Sequence, residues 1–377
     1  MKIDLFKVRM VPNAADFASK TIMSGFVGQG PKVEEFEGML RDWFQNNYIN
    51  TLNSATSGLH LALHLIKDQD TPKGNEFRNE VLTTPLTCTA TNWPILANGL
   101  RIRWVDIDPK TCNVDLDDLE RKIDGKTKAI MIVHWGGMAV DLNRLKDIQD
   151  RAQHLWGWRA PIIEDCAHAW GASFEDKLLG THGNFSVFSF QAIKHLTTGD
   201  GGCLICPDDQ SYDKAKLLRW YGLDRNSSAD FRCEQIIKDW GYKFHMNDIN
   251  ASIGIANLRE IDFVIKRHRE NGKFYDTALR HVAGVRLLEQ PEKTNSSYWI
   301  YTMLVDDRPN FVRKMKEAGI MVSQVHDRND KHECVSEYRT LLPGLDVVSR
   351  DMICIPCGWW VTDEARQFIL ETIRKGW

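Results

Sequence analysis

The chain has 377 residues, room for two or three domains. Its 48 Lys+Arg against 51 Asp+Glu leave a net charge of −3, which excludes a generally basic nucleic-acid binder. With 43% hydrophobic and 26% charged residues, and no run of about 20 apolar residues, a globular protein with a sizeable core is expected, with neither bulk disorder nor a membrane span.

In chain order, the opening stretch MKIDLFKVRMVPNAAD carries charges where a signal peptide needs its apolar run, so a cytoplasmic location is expected. Asn53-Ser54-Ala55-Thr56-Ser57-Gly58 is a small-residue turn leading into a helical pattern. Free N–H groups at a helix start, beside the Thr56 and Ser57 hydroxyls, make either a phosphate cradle or an ordinary N-cap. Residues 80–84, 102–106, 129–133 and 161–165 read as short strands, with helical patterns at 116–123 and 142–155. This alternation predicts an α/β fold with a largely parallel sheet, which collects ligands at the carboxyl ends of its strands. Glu164 and Asp165 end one such strand. The segment behind them, Cys166-Ala167-His168-Ala169-Trp170-Gly171-Ala172, is small and apolar, so a carboxylate facing it needs a cationic partner.

Next, Phe188-Ser189-Phe190 leads to Lys194, which stands before the Thr197-Thr198-Gly199 turn. Desolvation in such a place lowers the pKa of an amine and makes it a nucleophile. Residues 201–206 read as a buried strand. Nine cysteines, scattered and odd in number, are expected to be reduced. Two CxxC pairs, Cys203/Cys206 and Cys354/Cys357, have the count for a zinc site, but free cysteine also suits a buried strand, and no metal is expected. From about residue 253 the pattern changes to one long charged helix reaching about 282. A strand-like stretch at 297–305 follows, then a helix at 309–318 closed by Gly319 and a last helix at 363–377. A large domain over 1–255 and a smaller C-terminal α+β domain over 256–377 are expected.

No GxGxxG fingerprint follows a strand and no P-loop occurs, which sets aside a nicotinamide enzyme and a nucleotide triphosphatase. A phosphate cradle, an acid ending a strand and a desolvated lysine together suggest pyridoxal 5'-phosphate. Its phosphate needs donors, its ring nitrogen an acid and its aldehyde a Schiff-base lysine.

Several ordered motifs point the same way. They are Val27-Gly28-Gln29-Gly30 with Glu35-Phe36-Glu37; the 54–63 turn and helix; Val105-Asp106-Ile107-Asp108 with Thr111; Glu164-Asp165 with Gly171-Ala172; Phe188-Ser189-Phe190 with Lys194 and Gly201-Gly202; and Gly241-Tyr242 with Met246 and Asp248. In order and spacing the chain resembles the DegT/DnrJ/EryC1/StrS family of sugar aminotransferases, within fold type I of the pyridoxal phosphate enzymes. The resemblance implies a large domain with a mostly parallel sheet flanked by helices, and a homodimer with shared active sites. It implies Lys194 as the Schiff-base lysine, Asp165 as partner of the ring nitrogen, and His168 beside the ring hydroxyl or above the ring. Thr56, Ser57 and Ser189 would bind the phosphate. Cys88 stands where the family usually stacks an aromatic residue on the cofactor. Lys243 replaces an Asn that reaches the neighbouring subunit's phosphate, His245 replaces an Arg, and Trp220-Tyr221-Gly222 departs from a usual His-Gly. His326, Arg328 and His332 lie where the family contacts its sugar.

The reaction implied is transfer of an amino group from L-glutamate to the keto group of a nucleotide-linked deoxysugar, in deoxyaminosugar and polysaccharide biosynthesis. A related dehydratase that uses the same cofactor has histidine in place of the lysine, so Lys194 favours transamination. A cofactor-binding regulatory protein without turnover stands as a further alternative.

Overall fold

In the computed structural model, which describes residues 1–67, 78–227 and 231–377, the alternating pattern becomes a sheet with helices on both faces. Helices α1 (Ala14–Ser24) and α2 (Pro31–Phe44) precede strand β1 (Ile49–Leu52) and helix α3 (Ala55–Lys67). Then come β2 (Glu80–Thr83), α4 (Thr89–Ala97), β3 (Arg101–Trp104), α5 (Leu116–Lys122), β4 (Thr127–Val133), α6 (Leu142–Trp156) and β5 (Ile162–Asp165). Short strands β6 (Ser173–Phe174) and β7 (Lys177–Leu178) lead to β8 (Phe185–Ser189), β9 (Gly202–Ile205), α7 (Asp209–Leu218) and α8 (Asp248–Leu258). The remainder holds α9 (Ile261–Ala278), β10 (Val285–Leu287), β11 (Thr294–Asn295), β12 (Tyr301–Val305), α10 (Arg308–Glu317), α11 (Pro343–Asp351), β13 (Met352–Ile355) and α12 (Asp363–Arg374).

Seven strands pair in the order β1-β9-β8-β5-β4-β2-β3. Only β9 runs against its neighbours, so the other six bring their carboxyl ends to one edge. The period of two sorts side chains between two cores. Strand β4 sends Ile130 and Ile132 to one face, Ala129 and Met131 to the other. The same alternation separates the CxxC cysteines. Cys203 packs in the first core and Cys206 in the second, while Cys354 packs in the second and Cys357 in a third, C-terminal core. Neither pair converges on a point, and burial pushes their thiols up, Cys354 to about 12. The third core joins the antiparallel sheet β10-β12-β13 to α9, α10 and α12 through Tyr275, Met303, Phe311 and Ile369.

Two expected elements differ. The single helix at 253–282 is two, broken at Arg259-Glu260. Helix α8 is buried almost all round, whereas α9 keeps a charged outer face, so the two halves serve different surroundings. The strand expected at 297–305 starts only at Tyr301. Before it, Tyr298 adopts a left-handed φ of 48°, and Ser297 and Trp299 donate their N–H groups to Gly137 and Gly136. Gly137 permits that approach, since a Cβ there would lie 2.2 Å from Ser297 Oγ.

Candidate active site

The carboxyl edge of the sheet gathers the chemistry. Asp165, at the end of β5, is buried and accepts from Thr91 Oγ1 at 2.7 Å on Oδ2 and from Ala167 N at 3.0 Å on Oδ1. Burial pushes its pKa up, and these donors with the charge of Lys194 pull only partly against it. Its neighbour Glu164 faces the other side. There His134 Nε2 lies at 2.9 Å and Asn184 Nδ2 donates at 2.8 Å. Burial opposes ionisation of Glu164 too, yet His134 and Asn184 outweigh it and hold the carboxyl below its ordinary range. Val140 N donates to His134 Nδ1, so the ring proton sits on Nε2, toward Glu164. Ligand atoms of His134, Glu164 and Cys166 lie within 4.8 Å of one another. Both imidazole nitrogens are already engaged, however, and burial raises the Cys166 thiol well above its usual value, so the trio is a structural network.

Lys194 lies in the turn after β8, where Lys194 N bonds Gln191 O. The side chain keeps some surface contact, but the amine is enclosed by protein. Burial lowers its pKa to about 7, against the opposing pull of Asp165 and Cys88. Its Nζ rests 3.5 Å from the centre of the Trp299 indole. That indole is fixed by Nε1 donating to Ile193 O at 2.9 Å, and it stacks on His168 with centroids 3.9 Å apart. His168 Nδ1 accepts from Gly136 N, and burial holds the ring well below its usual pKa, so it is neutral. His326 lies parallel to His168 at 5.4 Å; burial lowers its pKa to about 4, and its Nε2 has no partner among the described residues.

Gly202 ties the start of α3 to the same edge. It pairs with both Leu52 and Ser189, and a Cβ there would lie 2.6 Å from Ala55 N. Ser54, rather than Thr56 or Ser57, caps the helix: its Oγ accepts from Ser57 N at 3.1 Å. Ser57 Oγ donates to Asn53 Oδ1, while Thr56 is exposed. The first N–H groups of α3 have no intrahelical acceptor and point out of its start. Ser189 Oγ accepts only a long contact, 3.3 Å, from Gln191 N. Lys243 runs beside this turn, its carbonyl accepting from Asn53 Nδ2 and its side chain exposed. His245 packs on Trp220, and burial lowers its pKa.

Of the expected residues, Lys194, Asp165 and His168 come together. Thr56, Ser57 and Ser189 share a second corner, and Cys88 borders the amine from the start of α4. The three sugar candidates separate. His326 joins His168, Arg328 is held by Asp330 and Asp346, and His332 turns edge-on to Trp93. Sequence reading missed Trp299, Thr91 and His134. Only Trp299 left a signal, an aromatic residue beside Tyr298 in the stretch read as strand.

The model of the DegT/DnrJ/EryC1/StrS aminotransferase family matches residues 11–374. The structure of AtS13 from Actinomadura melliaura superposes with a TM-score of 0.96 at 51% identity, over 100% of this chain and 99% of that one. The sugar aminotransferase CalS13 from Micromonospora echinospora gives 0.93 at 46% identity, over 99% of each chain. A UDP-4-amino-4,6-dideoxy-N-acetyl-beta-L-altrosamine transaminase of Campylobacter jejuni is 28% identical over 96% of each chain. With a buried lysine, a strand-end aspartate and an open helix start on one sheet edge, the chain belongs to the DegT/DnrJ/EryC1/StrS family and is a pyridoxal phosphate-dependent sugar aminotransferase.

Proposed function

We propose that this enzyme moves the amino group of L-glutamate to the keto carbon of a nucleotide-linked deoxysugar, acting as a cytoplasmic homodimer. The observation that carries the reading is the Lys194 amine, enclosed against Trp299 with its pKa lowered to about 7. At that value a large fraction is a free base near neutrality, which suits both nucleophile and proton carrier.

The donor set fits pyridoxal phosphate. The start of α3 with Thr56, Ser57 and Ser189 would hold the phosphate, and Asp165 would hold a proton on the ring nitrogen. When bound, the cofactor supplies an electrophilic carbonyl and an electron sink for charge left on a substrate carbon. Lys194 Nζ would carry the proton between that carbon and the carbon that bore the carbonyl. His168, neutral and pinned between Trp299 and the Gly136 N–H, would line the ring, beside its hydroxyl or above it, without competing charge. Trp299 covers the amine, and burial in this enclosure keeps its proton affinity low.

His326 is assigned to the sugar, through its open Nε2, with Arg328 and His332 shaping the loop that carries it. Lys243 is assigned to the partner subunit's cofactor phosphate, with Cys88 bordering the ring. Exposed Met23, Phe26, Ile236 and Trp240 leave apolar side chains on the surface that a dimer would bury. The division between the larger and smaller modules would follow residue 255, in the last turn of α8 and just ahead of the α8–α9 break.

A panel of nucleotide-ketosugars tests the reading. Glutamate should discharge the cofactor's absorbance, the right ketosugar should restore it, and 2-oxoglutarate should form in equal amount. Absence of 2-oxoglutarate across the panel would overturn it.

A further inference from the structure

Behind Asp165 lies a line of hydroxyl donors. Thr91, 1% exposed on the first turn of α4, donates from Oγ1 to Asp165 Oδ2 at 2.7 Å. Its single proton is engaged there, so in the 2.7 Å contact with Thr87 Oγ1 the donor is Thr87. Thr87, 2% exposed, is fixed through its main chain: Asn329 Nδ2 donates to Thr87 O at 2.8 Å, and Asn329 N to Pro85 O at 2.8 Å. Asn329 in turn accepts from Asn92 Nδ2 at 2.9 Å. All four side chains are buried, so packing rather than solvent sets their geometry.

We propose that Thr91, backed by Thr87, is a positioning residue for the transamination, holding the Asp165 carboxylate ionised and in one orientation at the end of β5. This rests on the pyridoxal phosphate reading above. The other groups facing Asp165 are Lys194 from the turn after β8, His134 from the end of β4, Cys166 next along the chain, and the Ala167 N–H. None of these replaces a hydroxyl on Oδ2. Without Thr91 the buried carboxylate keeps one fixed donor and binds a proton more readily.

The test titrates cofactor-stripped full-length protein with pyridoxal phosphate across pH, for the parent, Thr91→Val, Thr91→Ser and Thr87→Val, and measures kcat and KM on the loaded enzymes. In Thr91→Val the acid limb of cofactor affinity should move up by about one pH unit, because protonated Asp165 cannot serve the ring nitrogen. Thr91→Ser should return it, and Thr87→Val should move it by less. The kcat of Thr91→Val should fall about tenfold with KM within about threefold, as expected for losing one charge-assisted bond felt in the transition state. A uniform loss of affinity at every pH, an unmoved limb, or failure of Thr91→Ser to restore it would overturn the proposal. Should Thr91→Val not fold, an unmoved limb in Thr87→Val overturns it instead. If the parent itself takes up no pyridoxal phosphate, the broader reading falls, and this inference with it.

Discussion

Strand β5 ends in two neighbouring carboxylates, and the two sides of the sheet treat them differently. Glu164 is closed in by His134 and Asn184, which hold it ionised inside the core. Asp165 is as deeply placed, but its fixed partners, Thr91 and Ala167 N, leave its pKa raised. Burial is nearly equal, so partner chemistry decides the outcome. A carboxylate saturated by neighbours stabilises the fold. One left short of a cation is poised to take one from a ligand.

The largest expected effect removes the group that Asp165 faces. Lys194→Ala should abolish steady-state turnover while far-UV circular dichroism stays unchanged; near-normal activity would reject the assignment. Next, Asp165→Asn should lower the transamination rate by at least ~100-fold, the scale for losing a positioned charge. Glu164→Gln should do the reverse. Activity per folded molecule should stay within about threefold, but stability to urea should fall by about 1–3 kcal/mol, because a donor of His134 or Asn184 then meets an amide hydrogen. If the two variants behave alike, the contrast between the two sides is wrong.

The contrast can be sharpened by pH. In the cofactor-free protein, the rate at which Lys194 condenses with pyridoxal should rise with pH through a midpoint near 7, since only the unprotonated amine attacks. The Asp165 charge raises that midpoint, so Asp165→Asn should lower it, whereas Glu164→Gln should leave it in place. A further effect lies away from β5. Lys243→Ala should weaken cofactor retention by about tenfold, the scale of one charge-assisted contact. Mixing inactive Lys194→Ala and Lys243→Glu subunits should restore activity in heterodimers, because both lesions then fall in one site. No recovery, with mixed dimers verified by mass spectrometry, would make Lys243 a residue of its own subunit's site.

Local chemistry carried much of this into the sequence. Strands β4 and β5 were legible because buried parallel strands are short apolar runs, and Lys194 and Asp165 because each sits at a strand end or turn in a small apolar setting. Thr91 was not legible. It looks like any threonine near a helix start, and its partner lies on a strand far along the chain. Trp299 was hidden for a related reason. Its place under Lys194 depends on the left-handed turn at Tyr298, which in turn depends on the closeness of Gly137 and on Gly272, where a Cβ would meet the Tyr298 ring at 2.3 Å. The N-cap alternative rested on Thr56 or Ser57 and passed over Ser54, because the three are alike by type and only backbone geometry separates them. The α8–α9 break escaped because no proline or glycine marks it.

The first residues of the chain are tied to its last third. Ile3 bridges Ile320, the Trp360 indole donates to Asp4 O, and Phe6 stacks on Trp299, the residue beneath Lys194. Such contacts close loops of nearly the whole chain, which makes them slow to form. On the ribosome, the amino-terminal segment must wait until residue 360 has emerged before its hydrogen bond to Trp360 can close. The large sheet can assemble during synthesis, but the floor beneath the reactive lysine is finished only after it. Completion of the active site therefore follows the synthesis of Trp299 and Trp360, which lie far beyond Lys194 in the chain.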